Sequence, residues 1–133
     1  MLTTDGDGAL SWASSSSGTN VDGLSDGLVE SNSIYVGNDP SGTTDDAEYN
    51  VAVGTTGLDA ITTGDNNVAV GYNALTANTT GSSNAAVGYL ALAANTTASF
   101  NVASGNSALT ANTTGNSNTA SGSSTLRSHT TGH

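Results

Sequence analysis

The side chains that could do chemistry are few, and they sit at opposite ends of the sequence. His129 and His133 stand four residues apart, a spacing that puts two imidazoles on one face of a helix and would suit a shared metal ion. No helix is expected in Ser128-His129-Thr130-Thr131-Gly132, and His129 takes the place that Asn78, Asn95 and Asn112 fill earlier in the chain. The pair therefore reads as an exposed chain end, with no metal and no cofactor expected. Asp5-Gly6-Asp7-Gly8 has the alternating oxygen donors that open a calcium loop. It lacks the later spaced ligands and the closing glutamate, so a flexible acidic turn is the expectation.

Catalysis is equally poorly served. All eleven acidic residues lie between Asp5 and Asp65, and the remaining 68 residues carry only Arg127 and the two histidines. A Ser-His-Asp set would have to bridge the length of the molecule, so no catalytic residue is expected. Asp45-Asp46 adjoins a turn and reads as solvated, while Asp59 and Asp65 suggest an exposed rim. A net charge of −10 with one basic residue excludes the electrostatic footprint of nucleic-acid binding and disfavours anionic membranes. Asn78-Thr79-Thr80, Asn95-Thr96-Thr97 and Asn112-Thr113-Thr114 match the N-glycosylation acceptor pattern, but a structural role explains them better. Tyr72 and Tyr89 could contact carbohydrate, although packing on a neighbouring chain is the stronger expectation.

What positions these residues is a repeat. Asn50, Asn67, Asn84, Asn101 and Asn118 are 17 residues apart, and each opens the phrase Asn-x-Ala-x-Gly. Ala52, Ala69, Ala86, Ala103 and Ala120 keep the step, as do Leu58, Leu75, Leu92, Leu109 and Leu126. Threonine pairs recur from Thr62-Thr63 to Thr130-Thr131, closed by Gly64, Gly81, Gly115 and Gly132, with Ala98 breaking that column. A short fixed period without insertions means one small unit stacked on copies of itself.

Three regions follow. Residues 1–32 form an extended acidic lead-in rich in Gly and Ser, in which Leu10-Ser11-Trp12 and Leu24 to Val29 form brief strands or a short helix and Trp12 is the natural anchor. Residues 33–49 are a degenerate capping repeat: Ser33-Ile34-Tyr35-Val36-Gly37 keeps the strand half and Asn38-Asp39-Pro40-Ser41-Gly42 turns where a leucine would follow. Residues 50–133 hold five repeats. The period-two phrase Asn-Val-Ala-Val-Gly is a strand signal, and 17 residues accommodate two short strands and two turns. The fold class is all-β, a parallel β-solenoid of 17-residue coils that rises about 4.8 Å per coil, or roughly 24 Å over five.

Stacking explains the constant columns. Leucine fills the inside of each coil, alanine permits close approach across it, and glycine turns a corner. The Asn50 column is a candidate amide ladder, and Asn78, Asn95 and Asn112 a second. Val51, Val68 and Val102, with Val53, Val70 and Val87, either join the coil interior or pack on neighbouring chains. Scarce large apolar side chains argue that one apolar stripe is shared between copies.

The phrase Asn-Val-Ala-Val-Gly-Tyr-Asn-Ala-Leu-Thr-Ala-Asn-Thr-Thr-Gly, repeated over residues 50–132, resembles the repeat shafts of bacteriophage tail fibres, especially those of marine phages. The lead-in from Leu2 to Trp12 is similar to segments that precede such repeats. The Asn-x-Ala-x-Gly core also resembles the head repeats of trimeric autotransporter adhesins. The resemblance implies a left-handed β-roll in an intertwined or side-by-side homotrimer. It implies a non-enzymatic tail-fibre shaft on the virion, with a host-surface glycan or protein as a possible receptor. The alternative is a cellular trimeric adhesin head or self-assembling extracellular filament at the bacterial surface. The self-cleaving chaperone that often ends such fibres, and the stalk and anchor of an autotransporter, have no counterpart here, so the chain reads as a shaft segment.

Overall fold

The computed structural model describes residues 32–37, 40, 43–44 and 46–132, together with the backbone of 2–4, 10–12 and 27–30. Strands β1 (Leu2–Thr4) and β2 (Leu10–Trp12) pair antiparallel as a two-stranded sheet. The expected anchoring role of the Trp12 side chain, and the readings of Asp5-Gly6-Asp7-Gly8, Asp45 and His133, lie outside the described residues.

The main sheet has seven strands in sequence order. β3 (Gly27–Glu30) pairs antiparallel with β4 (Ser33–Val36). Parallel strands β5 (Val51–Val53), β6 (Val68–Val70), β7 (Ala85–Val87), β8 (Val102–Ser104) and β9 (Thr119–Ser121) follow. Each parallel pair is in register with a shift of one period: Tyr35 faces Ala52, then Ala69, Ala86, Ala103 and Ala120 in turn. The molecule is a β-solenoid, and no helix occurs among the described residues.

Each coil contains one three-residue strand rather than the expected two. The remainder is turned by residues in left-handed conformation, and these recur with the period. Thr56, Asn73, Leu90, Ser107 and Ser124 form one such column, and Leu58, Leu75, Leu92, Leu109 and Leu126 another at φ between 48° and 55°. A left-handed bend two residues before the leucine and another at it leave no room for a second extended run. For a bulky L-residue this conformation costs roughly 1–2 kcal/mol. Full burial of a leucine contributes about 1.5–3 kcal/mol, which offsets that cost at Leu58, Leu75, Leu92 and Leu109, whereas Leu126 keeps the conformation half-exposed.

The interior is thin. Ala52, Ala69, Ala86 and Ala103 are wholly buried, as are Leu58, Leu75, Leu92 and Leu109, while Tyr35 and Ile61 fill the first coils. The capping coil thus plugs the stack with a tyrosine where later coils carry alanine. Leu126 departs from the expectation that every leucine lies inside: it is 47% exposed, because the last described coil is covered on one side only. Gly88 shows why its column is glycine. Its φ is +139°, and a Cβ there would overlap the Gly105 carbonyl of the next coil.

The valine rows are settled by alternation along each strand. With alanine inward, Val51, Val53, Val68, Val70, Val87 and Val102 all point outward. Of the two placements open from the sequence, the interior one does not occur.

Candidate functional site

Besides a column of threonine hydroxyls from Thr62 to Thr113 that donate to the next coil's carbonyls, three columns of side-chain acceptors hold the coils in register. In the first, Asn67 Nδ2 donates to Asn50 Oδ1 at 3.1 Å, Asn84 to Asn67 at 3.1 Å and Asn101 to Asn84 at 3.2 Å. The same oxygens accept the backbone N–H of the next asparagine, at 2.9 Å for Asn67 and 3.0 Å for Asn84 and Asn101, and Asn101 Oδ1 accepts the Asn118 N–H at 2.8 Å. Ser33 Oγ heads the column by accepting from the Asn50 N–H at 2.9 Å. In the second, Asn95 Nδ2 donates to Asn78 Oδ1 at 2.9 Å and Asn112 to Asn95 at 3.1 Å.

The two asparagine columns share acceptors. The Gly81 carbonyl receives Asn67 Nδ2 at 2.9 Å and Asn78 Nδ2 at 2.8 Å, and the Ala98 carbonyl likewise receives Asn84 and Asn95. Ala98 supplies the same carbonyl as Gly81 and so keeps both bonds, although elsewhere in this column, as at Gly81, a Cβ would overlap the carbonyl of the next coil. All these asparagines are buried, where an unpaired amide would be costly.

The third column escapes a search for constant residues. Asp65 Oδ1 accepts the Glu48 N–H at 2.8 Å, Ser82 Oγ the Asp65 N–H at 3.0 Å, Ser99 Oγ the Ser82 N–H at 3.0 Å, and Asn116 Oδ1 the Ser99 N–H at 2.7 Å. Asp, Ser and Asn share only a short side-chain acceptor, which is the signal that would have found it. Asp65 is consequently half-buried and bonded, not part of a free rim, whereas Asp59 is exposed as expected.

The residues that suggested chemistry are dispersed. Asn78, Asn95 and Asn112 are fully buried, so the folded chain does not present them for glycosylation. His129 continues their column, with its ring against Gly132. Its Nε2 and Asn112 Oδ1 are both covered without a partner among the described residues. Among the described residues no group of three or more His, Cys, Asp or Glu could hold a metal ion.

What the fold does gather is an outer face. Five levels, one per strand from β5 to β9, each present four outward residues: Tyr49, Val51, Val53 and Thr55; Asn66, Val68, Val70 and Tyr72; Ser83, Ala85, Val87 and Tyr89; Phe100, Val102, Ser104 and Asn106; Ser117, Thr119, Ser121 and Ser123. All are exposed except Ala85, which is half-buried. Six residue steps make the face at most about 20 Å wide, and β5 to β9 span about 20 Å along the stack. The β9 level carries only Ser and Thr, and the part bearing Val, Tyr and Phe, from β5 to β8, is roughly 300 Å² in projection, comparable with the largest apolar patch a monomer carries. No position on the face bears a charge, although the chain carries eleven acids.

The two edges of the face are aromatic in alternation. One edge runs Tyr49, Asn66, Ser83, Phe100, and the other Thr55, Tyr72, Tyr89, Asn106. Tyr72 and Tyr89 stack with ring centroids 5.6 Å apart and planes 13° apart. Phe100 is 65% exposed and Tyr49 56%, both at left-handed φ near 60°. Asn66, Ser83 and Ser117 hold the same backbone conformation, so the coil does not require an aromatic at this position. The chain matches no protein-family model, and no curated protein or solved structure matches it.

Proposed function

We propose that the chain is a non-enzymatic shaft segment of an extracellular fibre of the bacteriophage tail-fibre kind, in which three copies stand side by side with their outer valine faces together. The observation that carries this is the uncharged apolar face on a chain of net charge −10. A second copy meets it without like-charge repulsion, whereas an oppositely charged partner finds nothing there to pair with. The in-register coils, tied by buried amide columns, supply the stiffness a shaft requires. Because each parallel strand pairs with the next strand of its own chain, side-by-side association is favoured over intertwining. The edges away from the valine face, with exposed Thr63, Thr80, Thr97 and Thr114, are left for a host-surface glycan or protein.

Light scattering tests this. The expected mass is about three times 12.9 kDa, and Val70→Lys should give single chains with an unchanged circular dichroism spectrum. A wild-type chain that stays single at every concentration overturns the proposal.

A further inference from the structure

We infer that the copies associate parallel and level with one another, so that the Tyr49–Phe100 edge of one face meets the Thr55–Asn106 edge of the next. The inference rests on the self-association proposed above and specifies its contact.

Side-chain size at each level decides the pairing. At β5 the first edge is large and the second small, Tyr49 against Thr55. At β6 and β7 the order reverses, Asn66 against Tyr72 and Ser83 against Tyr89, and at β8 it returns, Phe100 against Asn106. Every one of these levels therefore holds a single aromatic. Rotation about an axis parallel to the stack brings the first edge of one copy to the second edge of its neighbour at the same height. Each aromatic then lies beside a small polar residue, and the stacked Tyr72–Tyr89 pair fits the gap between Tyr49 and Phe100 of the adjoining copy. A slip by one level sets Tyr49 against Tyr72 or Phe100 against Tyr89, two large rings in one place. The edges thus fix both direction and height, which the nearly uniform valine rows between them cannot do. They also give the exposed Tyr49 and Phe100 rings something to cover them.

The chain has no cysteine, so an engineered pair reports without background. Asn66 and Tyr72 flank β6 on opposite sides, with the extended Val68–Val70 between them, which holds them beyond the roughly 7 Å between Cα atoms that a disulfide within one chain allows. Under mild oxidation, Asn66→Cys with Tyr72→Cys is expected to give closed covalent oligomers on a non-reducing gel. Single chains only would overturn the edge contact. Light scattering on the same protein kept reduced reports separately whether copies associate at all.

A size exchange gives the second test. Ser83→Tyr is expected to weaken association at least tenfold, as is Tyr89→Ser, and the double variant to return within about threefold of the original. Tyrosine is tolerated at position 83, because Tyr49 and Phe100 share its backbone conformation (φ 60° and 62° against 59°). A double variant as weak as the two single effects multiplied overturns the inference.

Discussion

Replacing Asn84 by alanine tests the amide columns most sharply, because this side chain sits mid-column and makes bonds in both directions. Asn84 Nδ2 donates to Asn67 Oδ1 and the Ala98 carbonyl, and its Oδ1 accepts the Asn101 backbone N–H at 3.0 Å and Asn101 Nδ2 at 3.2 Å. After Asn84→Ala, Asn67 Oδ1 keeps the backbone N–H of residue 84 and the Ala98 carbonyl keeps Asn95. The two Asn101 donors lose this acceptor in a buried site. At about 1–3 kcal/mol for each buried unsatisfied donor, the loss is about 2–6 kcal/mol. Asn116→Ala is the control. Its Oδ1 accepts the Ser99 N–H at 2.7 Å, but the position is exposed and water replaces the bond, so the loss is about 1 kcal/mol or less. Urea unfolding at one fixed protomer concentration gives the difference, and amide exchange at Asn101 localises it. Equal midpoints for the two variants, or retained protection at the Asn101 amide in Asn84→Ala, would refute the load assigned to the column.

Two further contrasts use paired sites. Leu92→Asp places a charge in a wholly buried position and is expected to unfold the array by more than about 4 kcal/mol, whereas Leu126→Asp, at a half-exposed leucine, should shift the melting temperature only slightly; equal shifts in a thermal melt would contradict the inward placement. Gly88→Ala puts a Cβ onto the Gly105 carbonyl at positive φ and should lose at least about 1–3 kcal/mol. Gly57→Ala meets only ordinary contacts from 3.6 Å outward and should be nearly neutral, the comparison again being urea midpoints.

Much of the fold was legible because stacking forces identity: a residue that must meet its own copy repeats, and so Asn67, Ala69 and Leu75 announced their columns. The number of strands per coil was not legible. Leucine is a poor candidate for a left-handed turn on propensity alone; burial offsets the cost at Leu58 to Leu109, and the half-exposed Leu126 adopts the turn as well. The Glu48-to-Asn116 column stayed hidden because its acceptors differ in identity while sharing a function. The orientation of the valines could not be read either, since period-two alternation separates two faces without saying which is inside. Volume decides it: a coil this narrow closes over alanine. The edge residues Tyr49 and Phe100 carry no signal in the sequence, because their meaning lies in heights on a face that the linear chain does not display.

The 17-residue period is an axial step of the stack, one coil per repeat with no insertion. Spin labels at Thr63→Cys with Thr114→Cys, and at Thr63→Cys with Thr131→Cys, diluted in unlabelled chain, measure that step on one exposed column. With a coil spacing of about 4.8 Å the backbone separations are about 14 Å and about 19 Å, so the second pair should lie about 5 Å beyond the first. Equal distances for the two pairs, or a separation far beyond 19 Å, would contradict a continuous stack of 17-residue coils.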